Sequence, residues 1–292
     1  MIELKTITSR VVAHTSSPNS PSSIKRSGNF GGIALNNFSI AIDATSSIEF
    51  GKEFRKKLEA RFDLPINYLF LTHTHTDHRN GLKAFNDIPL IASENCIKNM
   101  PKAQKLSDFS IKSFKEYSSV KDDNFEVEFH YTGGHTIGSS IAYFPAEKIL
   151  FSGDLVFHGG FNFNIPFLTF YQNKVFDNKS KKTGNPEEYI AAFERFLKMD
   201  IEVIVSGHGS VIFNPNDVIN EQLNFFLSLK SATLEVVAKN ESMDNINLQS
   251  LDLVKQAYDK CEKQGKNATK YRKWLENYLS KLKQAFYTYY RG

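Results

Sequence analysis

Thr72-His73-Thr74-His75-Thr76-Asp77-His78 follows directly on the apolar run Tyr68-Leu69-Phe70-Leu71. Four metal-ligand side chains therefore fall within six residues, at the end of a segment that reads as a buried strand. In an extended segment, side chains two apart face the same way, so His73 and His75 can close on one ion. Asp77 and His78, beyond the next bend, address a neighbouring point. That arrangement asks for two metals. The chain has 8 histidines in 292 residues, so three in so short a stretch are not the scatter expected of a solvated polar loop.

Three later positions supply further ligands. Gly133-Gly134-His135-Thr136-Ile137-Gly138-Ser139 follows the strand-like run from Val127 to Tyr131, and its glycines let the backbone come close to an ion while presenting His135. Ser152-Gly153-Asp154 follows Lys148-Ile149-Leu150-Phe151, and Ser206-Gly207-His208-Gly209 follows Val203-Ile204-Val205. Each is an apolar strand ending in a small residue and then one ligand. Repetition of that pattern implies a sheet edge where strand ends converge on a cleft.

Taken in order, these motifs resemble those of the metallo-β-lactamase superfamily: an aspartate ending an early strand, as in Ile40-Ala41-Ile42-Asp43, then HxHxDH, a GHT-x-GS histidine, a GD aspartate and a GHG histidine. The likeness extends to about Pro215. Asn80 stands where the first glycine of a DHxGG motif often falls, and Ile137 where proline is frequent in HTPGS; neither replaces a ligand. The resemblance implies an α/β fold, an αββα four-layer sandwich of two mixed β-sheets flanked by helices. It further implies that His73, His75 and His135 bind a first metal, that Asp77, His78 and His208 bind a second, and that Asp154 bridges both. Asp43 in this family more often braces the site than touches metal. The helices that follow the core are reminiscent of glyoxalase II-like and lactonase-like relatives. The NPF-type segment followed by arginine that marks glutathione binding has no counterpart in the C-terminal region, so glutathione thioester specificity is not supported.

Two ions about 3.5–4 Å apart can hold a hydroxide between them and polarise a scissile carbonyl or phosphoryl oxygen. The expected activity is therefore a dinuclear metal-dependent hydrolase acting on a small ester, thioester, lactone or lactam, with Asp77 orienting the nucleophile and carrying its proton. Imidazole and carboxylate ligands without thiolate suit zinc, two per chain, though iron or manganese accept the same donors. An alternative is a mononuclear iron persulfide dioxygenase using His73, His135 and Asp154. A weaker one is a noncatalytic metal-binding sensor, which would have no need of Asp77. Nuclease activity ranks low.

Composition sets the class. With 41% hydrophobic and 23% charged residues the chain is an ordinary globular protein, long enough to bury a large core. The N-terminus lacks a basic stretch followed by an apolar one, and no run of about eighteen apolar residues occurs, so a cytoplasmic enzyme without a membrane span is expected. The formal net charge of +4 is spread among acids along helical segments, which does not point to nucleic acid; the expected partner is a small-molecule substrate. Cys96 and Cys261 lie far from the ligand motifs and read as buried or half-buried free thiols.

Along the chain, short strands are expected near residues 3–7 and 10–13, then a Ser/Pro-rich loop over 15–27. The stretch 33–40 reads as a hairpin turning at Asn36-Asn37, since asparagine tolerates the positive φ of a tight primed turn. Phe50, Phe54, Leu58 and Phe62 stand four apart and predict a helix over Ile48–Phe62. A short helix is expected at Leu82–Phe85, a strand at Leu90-Ile91-Ala92, and a helix from Asn185, its N-cap, to about Met199. Residues 157–183 hold too many aromatics for a solvated connector, among them His158, Phe161 and Tyr171. They are expected to form a substrate-contacting lid or to fill core. His14 and His130 read as structural. The division expected is a catalytic domain over 1–214 and a helical extension over 215–292, packed on the sandwich or forming a homo-oligomer contact.

Overall fold

The structure, a computed structural model, describes residues 2–16, 27–104, 106–159, 165, 184–263 and 265–291. Phe161, Tyr171 and nearly all of the expected aromatic lid lie outside these residues. Strands β1 (Lys5–Thr6), β2 (Val11–His14), β3 (Phe30–Ala34), β4 (Ser39–Ile42), β5 (Ile66–Phe70), β6 (Leu90–Ser93) and β7 (Ile111–Phe114) form one sheet in sequence order. It is antiparallel as far as β4 and parallel from β4 to β7. Strands β8 (Tyr117–Asp122), β9 (Phe125–Tyr131), β10 (Ser140–Phe144), β11 (Ile149–His158), β12 (Val203–Gly209) and β13 (Val211–Phe213) form the second sheet, in the order β13-β12-β11-β10-β9-β8. Among the described residues its one parallel pair is β11 with β12.

Alternation along the strands builds the layers. In β4, Ile40 and Ile42 enter the core between the sheets while Ala41 faces the helices outside, as the two-residue period of a strand requires. Phe70 of β5 stacks on Phe129 of β9 with ring centroids 4.6 Å apart, joining the two sheets. Outside the first sheet lies α1 (Ile48–Phe62), capped by the Ser47 hydroxyl, with Phe54 and Leu58 buried and Phe50 and Phe62 at the edge of the same cluster. Outside the second lie α4 (Pro186–Phe196), α5 (Asn216–Ala238), α6 (Asp252–Glu262) and α7 (Ala268–Arg291). Between them in sequence, α2 (Thr76–Arg79) and α3 (Glu94–Lys98) are short. This is the αββα sandwich expected from the motifs.

The helices beyond Pro215 share one apolar core with the second sheet. Ile141, Leu150, Ile204, Phe193, Phe226, Leu282 and Phe286 belong to the same buried cluster. No helix among the described residues is long and apolar enough to cross a membrane. Both thiols are free and buried, Cys96 in the core under the first sheet and Cys261 in the core of the C-terminal helices.

Three local expectations are corrected. The 33–40 hairpin forms, with Ala34 opposite Ser39, but neither Asn36 nor Asn37 adopts positive φ. Their backbone N–H groups instead converge on the Asp122 carboxylate at 2.8 and 2.6 Å, a contact from the other sheet that local turn rules do not contain. Strand β11 does not stop before its ligand: it runs through Asp154 to His158, pairing with β12 across two register shifts. Such bulges re-aim side chains beside functional sites. Helix α4 ends at Phe196, where Met199 N closes the last turn onto Phe196 O at 3.2 Å.

A shared core should melt as one unit. Phe286→Ala removes a fully buried ring from it and is expected to cost about 3–5 kcal/mol, as other buried phenylalanines do. Urea unfolding followed by circular dichroism should show that loss in a single transition; an early separate transition for the helices would contradict the packing described.

Candidate metal centre

Two parallel strands end side by side in acids and histidines. Asp43 follows β4 and Thr72 follows β5, and the Asp43 carboxylate accepts from Thr72 N at 2.8 Å, from the Thr72 hydroxyl at 2.9 Å and from His78 Nδ1 at 2.7 Å. The Thr72 hydroxyl also lies 3.0 Å from His73 Nδ1. One buried carboxylate therefore fixes His78 directly and His73 through one hydroxyl, leaving both Nε2 atoms turned to the same cavity. Asp43 thus holds the two rings through hydrogen bonds and lies in neither candidate ligand group. Fixing the far ring nitrogen in this way sets the tautomer and orientation of a ligating histidine.

The seven expected ligands come together. His73, His75, His135 and Asp154 form one group and Asp77, His78 and His208 another, the donor atoms within each lying within 4.8 Å of one another. Asp154 faces both. Its Oδ2 stands 3.6 Å from His73 Nε2, 4.0 Å from His75 Nδ1 and 3.3 Å from His135 Nε2. Its Oδ1 stands 3.1 Å from His78 Nε2 and 3.5 Å from His208 Nε2. Asp77 reaches His208 Nε2 at 3.1 Å.

The approach of β12 to β11 depends on one glycine. A Cβ on Gly207 would sit 2.0 Å from Asp154 Oδ1, so any side chain there would displace the carboxylate. Asn29 holds Ser206-Gly207-His208-Gly209, the end of β12, in place, its amide donating to Ser206 O at 2.7 Å and Gly209 O at 3.1 Å and its backbone N–H to Gly207 O at 2.7 Å. Phe157 stacks on His208, centroids 5.6 Å apart and planes at 21°. Neither contact is legible in the sequence: Asn29 belongs to no motif, and Phe157 was one aromatic among many.

The residues present fit divalent cations. Among the described residues, His73 Nε2, His78 Nε2 and Asp154 Oδ1 are buried with no hydrogen-bond partner, a cost that folded proteins avoid unless another ligand satisfies the group. The 3.1 Å approach of His78 Nε2 to Asp154 Oδ1 brings the charges together without hydrogen-bond alignment. The donor set of nitrogen and carboxylate oxygen suits zinc, iron or manganese.

Electrostatics divides the two groups. Burial pushes His73 well below the ordinary imidazole value, with His78 adding to the shift, so it offers a neutral lone pair. Burial also opposes charge on His78 and His208, but the surrounding carboxylates, Asp154 foremost, outweigh it. They hold His78 well above the ordinary value and raise His208 to about 9. Burial likewise opposes ionisation of the acids, yet His78 and His208 bring Asp77 down to about 2, and His208 and His78 hold Asp154 well below the usual carboxylate range.

The other candidates fall outside the two groups. His158 ends β11 with a buried Nδ1 that has no hydrogen-bond partner among the described residues; burial and then Lys260 lower its pKa, and Glu221 opposes them. His14 is bonded through Nδ1 to Glu3 O at 2.9 Å and stacks on Phe30. His130 is bonded to Glu128 at 2.8 Å and to Arg195.

The carboxylates around His78 and His208 favour their protonated forms, so a cation drawing on these rings must compete with protons. Affinity at the Asp77–His78–His208 group should therefore rise with pH, by up to about tenfold per pH unit for each proton displaced, until His208 titrates. Calorimetry of zinc uptake in two buffers of different ionisation enthalpy counts the protons released. An affinity at this group that stays flat between neutral pH and the His208 value of about 9 would contradict the assignment.

A sequence model of the metallo-beta-lactamase superfamily matches residues 33–208. The chain is 23% identical over 190 residues to a metallo-beta-lactamase type 2 of Bacillus cereus, covering 62% of this chain and 67% of that protein. It is 23% identical over 210 residues to a beta-lactamase-like protein 2 homolog of Caenorhabditis elegans, covering 70% and 61%. It is 29% identical over 145 residues to a hydroxyacylglutathione hydrolase of Bartonella henselae, covering 47% and 52%. The chain thus spans about half to two thirds of the length of these relatives. Among solved structures, a metallo-beta-lactamase from Pontibacter korlensis superposes with a TM-score of 0.58 at 20% identity, over 78% of this chain and 99% of that one, which shows a common fold. With five motifs in order, two facing mixed sheets and the family match across more than half its length, this chain belongs to the metallo-β-lactamase superfamily.

Proposed function

We propose that this protein is a hydrolase that works with two divalent cations, zinc by preference, on a small ester, thioester, lactone or lactam. The observation that carries the reading is the division of Asp154, whose Oδ2 faces His73, His75 and His135 while Oδ1 faces His78 and His208. A carboxylate shared in this way suits two adjacent cations. Relatives bearing the names metallo-beta-lactamase type 2 and hydroxyacylglutathione hydrolase support an acyl-hydrolysing reading. A single-iron persulfide dioxygenase would draw on His73, His135 and Asp154 alone; the complete second group of Asp77, His78 and His208 favours the hydrolase.

Bound at these residues, the cations supply an activated water near neutral pH and polarise the acyl oxygen. The side chains supply the rest. His73, His78, His135 and Asp154 are buried and rigidly held, whereas His75 is 32%, Asp77 24% and His208 12% exposed. Substrate therefore approaches across His75, Asp77 and His208. Asp77, anionic at neutral pH, accepts the proton of the attacking water and carries it toward the leaving group. Asp43 and Thr72 keep the rings of His73 and His78 from turning as charge develops. Phe157 covers one flank of His208 and limits water there.

Elemental analysis of the purified protein should find about two zinc per chain; about one iron would favour oxygen chemistry instead. Turnover should then appear in a panel of ester, thioester, lactone and β-lactam substrates. Asp77→Asn is expected to lower kcat by about 10²–10⁴, the range for loss of a general base, with zinc retained by the His73 group. Full turnover in that variant would remove Asp77 from the reaction.

A further inference from the structure

The loop that presents His135 is held from behind by the first turn of α4. Asn185 N donates to Gly134 O at 2.7 Å, and Gly134 N donates to the Glu188 carboxylate at 3.1 Å. The Tyr131 hydroxyl, 3.1 Å from Ile137 O and 3.3 Å from Glu188 Oε1, can donate its one proton to either, and so stands between the carboxylate and the far side of the His135 turn. The fit is close: a Cβ on Gly133 would stand 2.1 Å from Glu188 Oε2, and Gly133 and Gly134 have φ of +63° and +83°. Glu188 is not needed to cap its helix, because the Asn185 side chain already accepts from Glu187 N at 2.9 Å and Glu188 N at 3.3 Å.

The next residue reaches a second candidate ligand, Asp154. The Tyr189 hydroxyl donates to Asp154 O at 2.8 Å, and its ring, fully buried, stacks on Phe226 of α5 with centroids 4.7 Å apart. Phe226 in turn packs on Phe286 of α7 at 5.4 Å. Glu187, the residue before this pair, is bonded to Lys230 of α5 and to the Tyr290 hydroxyl of α7. Two consecutive side chains therefore grip the backbone at or beside two ligands that come from different parts of the sheet, with the C-terminal helices behind them.

We propose that Glu188 and Tyr189 are positioning residues of the metal centre, Glu188 setting the His135 loop and Tyr189 the Asp154 backbone. The proposal rests on the reading of His73, His75, His135 and Asp154 as a cation site. A ligand displaced by a fraction of an ångström loses affinity without loss of fold, and removal of such supporting contacts typically weakens metal binding about 10–100-fold.

The test is the zinc affinity of the full chain, measured by competition with a chromophoric chelator, for wild type, Glu188→Ala, Glu188→Gln and Tyr189→Phe. Circular dichroism of the ion-free proteins checks folding. Tyr189→Phe keeps the ring on Phe226 and removes only the hydroxyl, so it folds even if Glu188→Ala does not. Glu188→Ala and Tyr189→Phe are expected to bind zinc about 10–100-fold more weakly, and Glu188→Gln, which keeps an acceptor for Gly134 N–H, to recover most of the loss. Wild-type zinc affinity in both Glu188→Ala and Tyr189→Phe, whatever their thermal stability, overturns the proposal and leaves the cation site standing. A wild-type protein that takes up no zinc overturns both.

Discussion

A single buried carboxylate governs the architecture of the site. Asp154 is placed among imidazoles contributed by three separate segments, in a setting where an uncompensated charge would be prohibitive. Its two oxygens must each find positive charge, whether from protonated His78 and His208 or from cations that displace those protons. Everything near it serves that need: the bulged course of β11 that turns it inward, the bare Gly207 that leaves room, and the brace at Asp43 that keeps the facing rings in register.

The two sheets make this convergence cheap in conformational terms. The parallel strands β4 and β5 deliver Asp43 and the His73–His78 segment from one sheet, and the parallel pair β11 and β12 delivers Asp154 and His208 from the other. Ligand sites in α/β folds gather at the carboxyl ends of parallel strands. Here two such ends face each other across one core, so the ligands ride on rigid elements. Outside the strands and helices stand His73 and His75, just after β5, and His135, between β9 and β10.

Much of this was legible in the sequence because each ligand announces itself locally. Apolar runs followed by a small residue and then a histidine or aspartate pointed to all seven candidate ligand positions, and the dense 72–78 stretch set the number of ions to expect. Helix α1 emerged at its full span because four apolar residues at one spacing leave no other reading. What stayed hidden depends on contacts between distant segments. Asn29 clamps residues 206–209 of β12 from about 180 positions away, Asp122 captures the 36–37 turn from the opposite sheet, and Glu188 stands in no ligand motif. Local pattern records what a residue prefers for itself, whereas these residues act on someone else's backbone.

The placement of the two cysteines has a practical consequence. Cys96, remote from the ligand motifs in sequence, lies under the His135 loop, where its backbone blocks any side chain at Gly138. Cys261 is sealed among the helices on the opposite flank. Each thiol reacts with solvent reagents only when its own layer opens, so the rates at which they are alkylated time the breathing of the two halves of the molecule separately, with no label added.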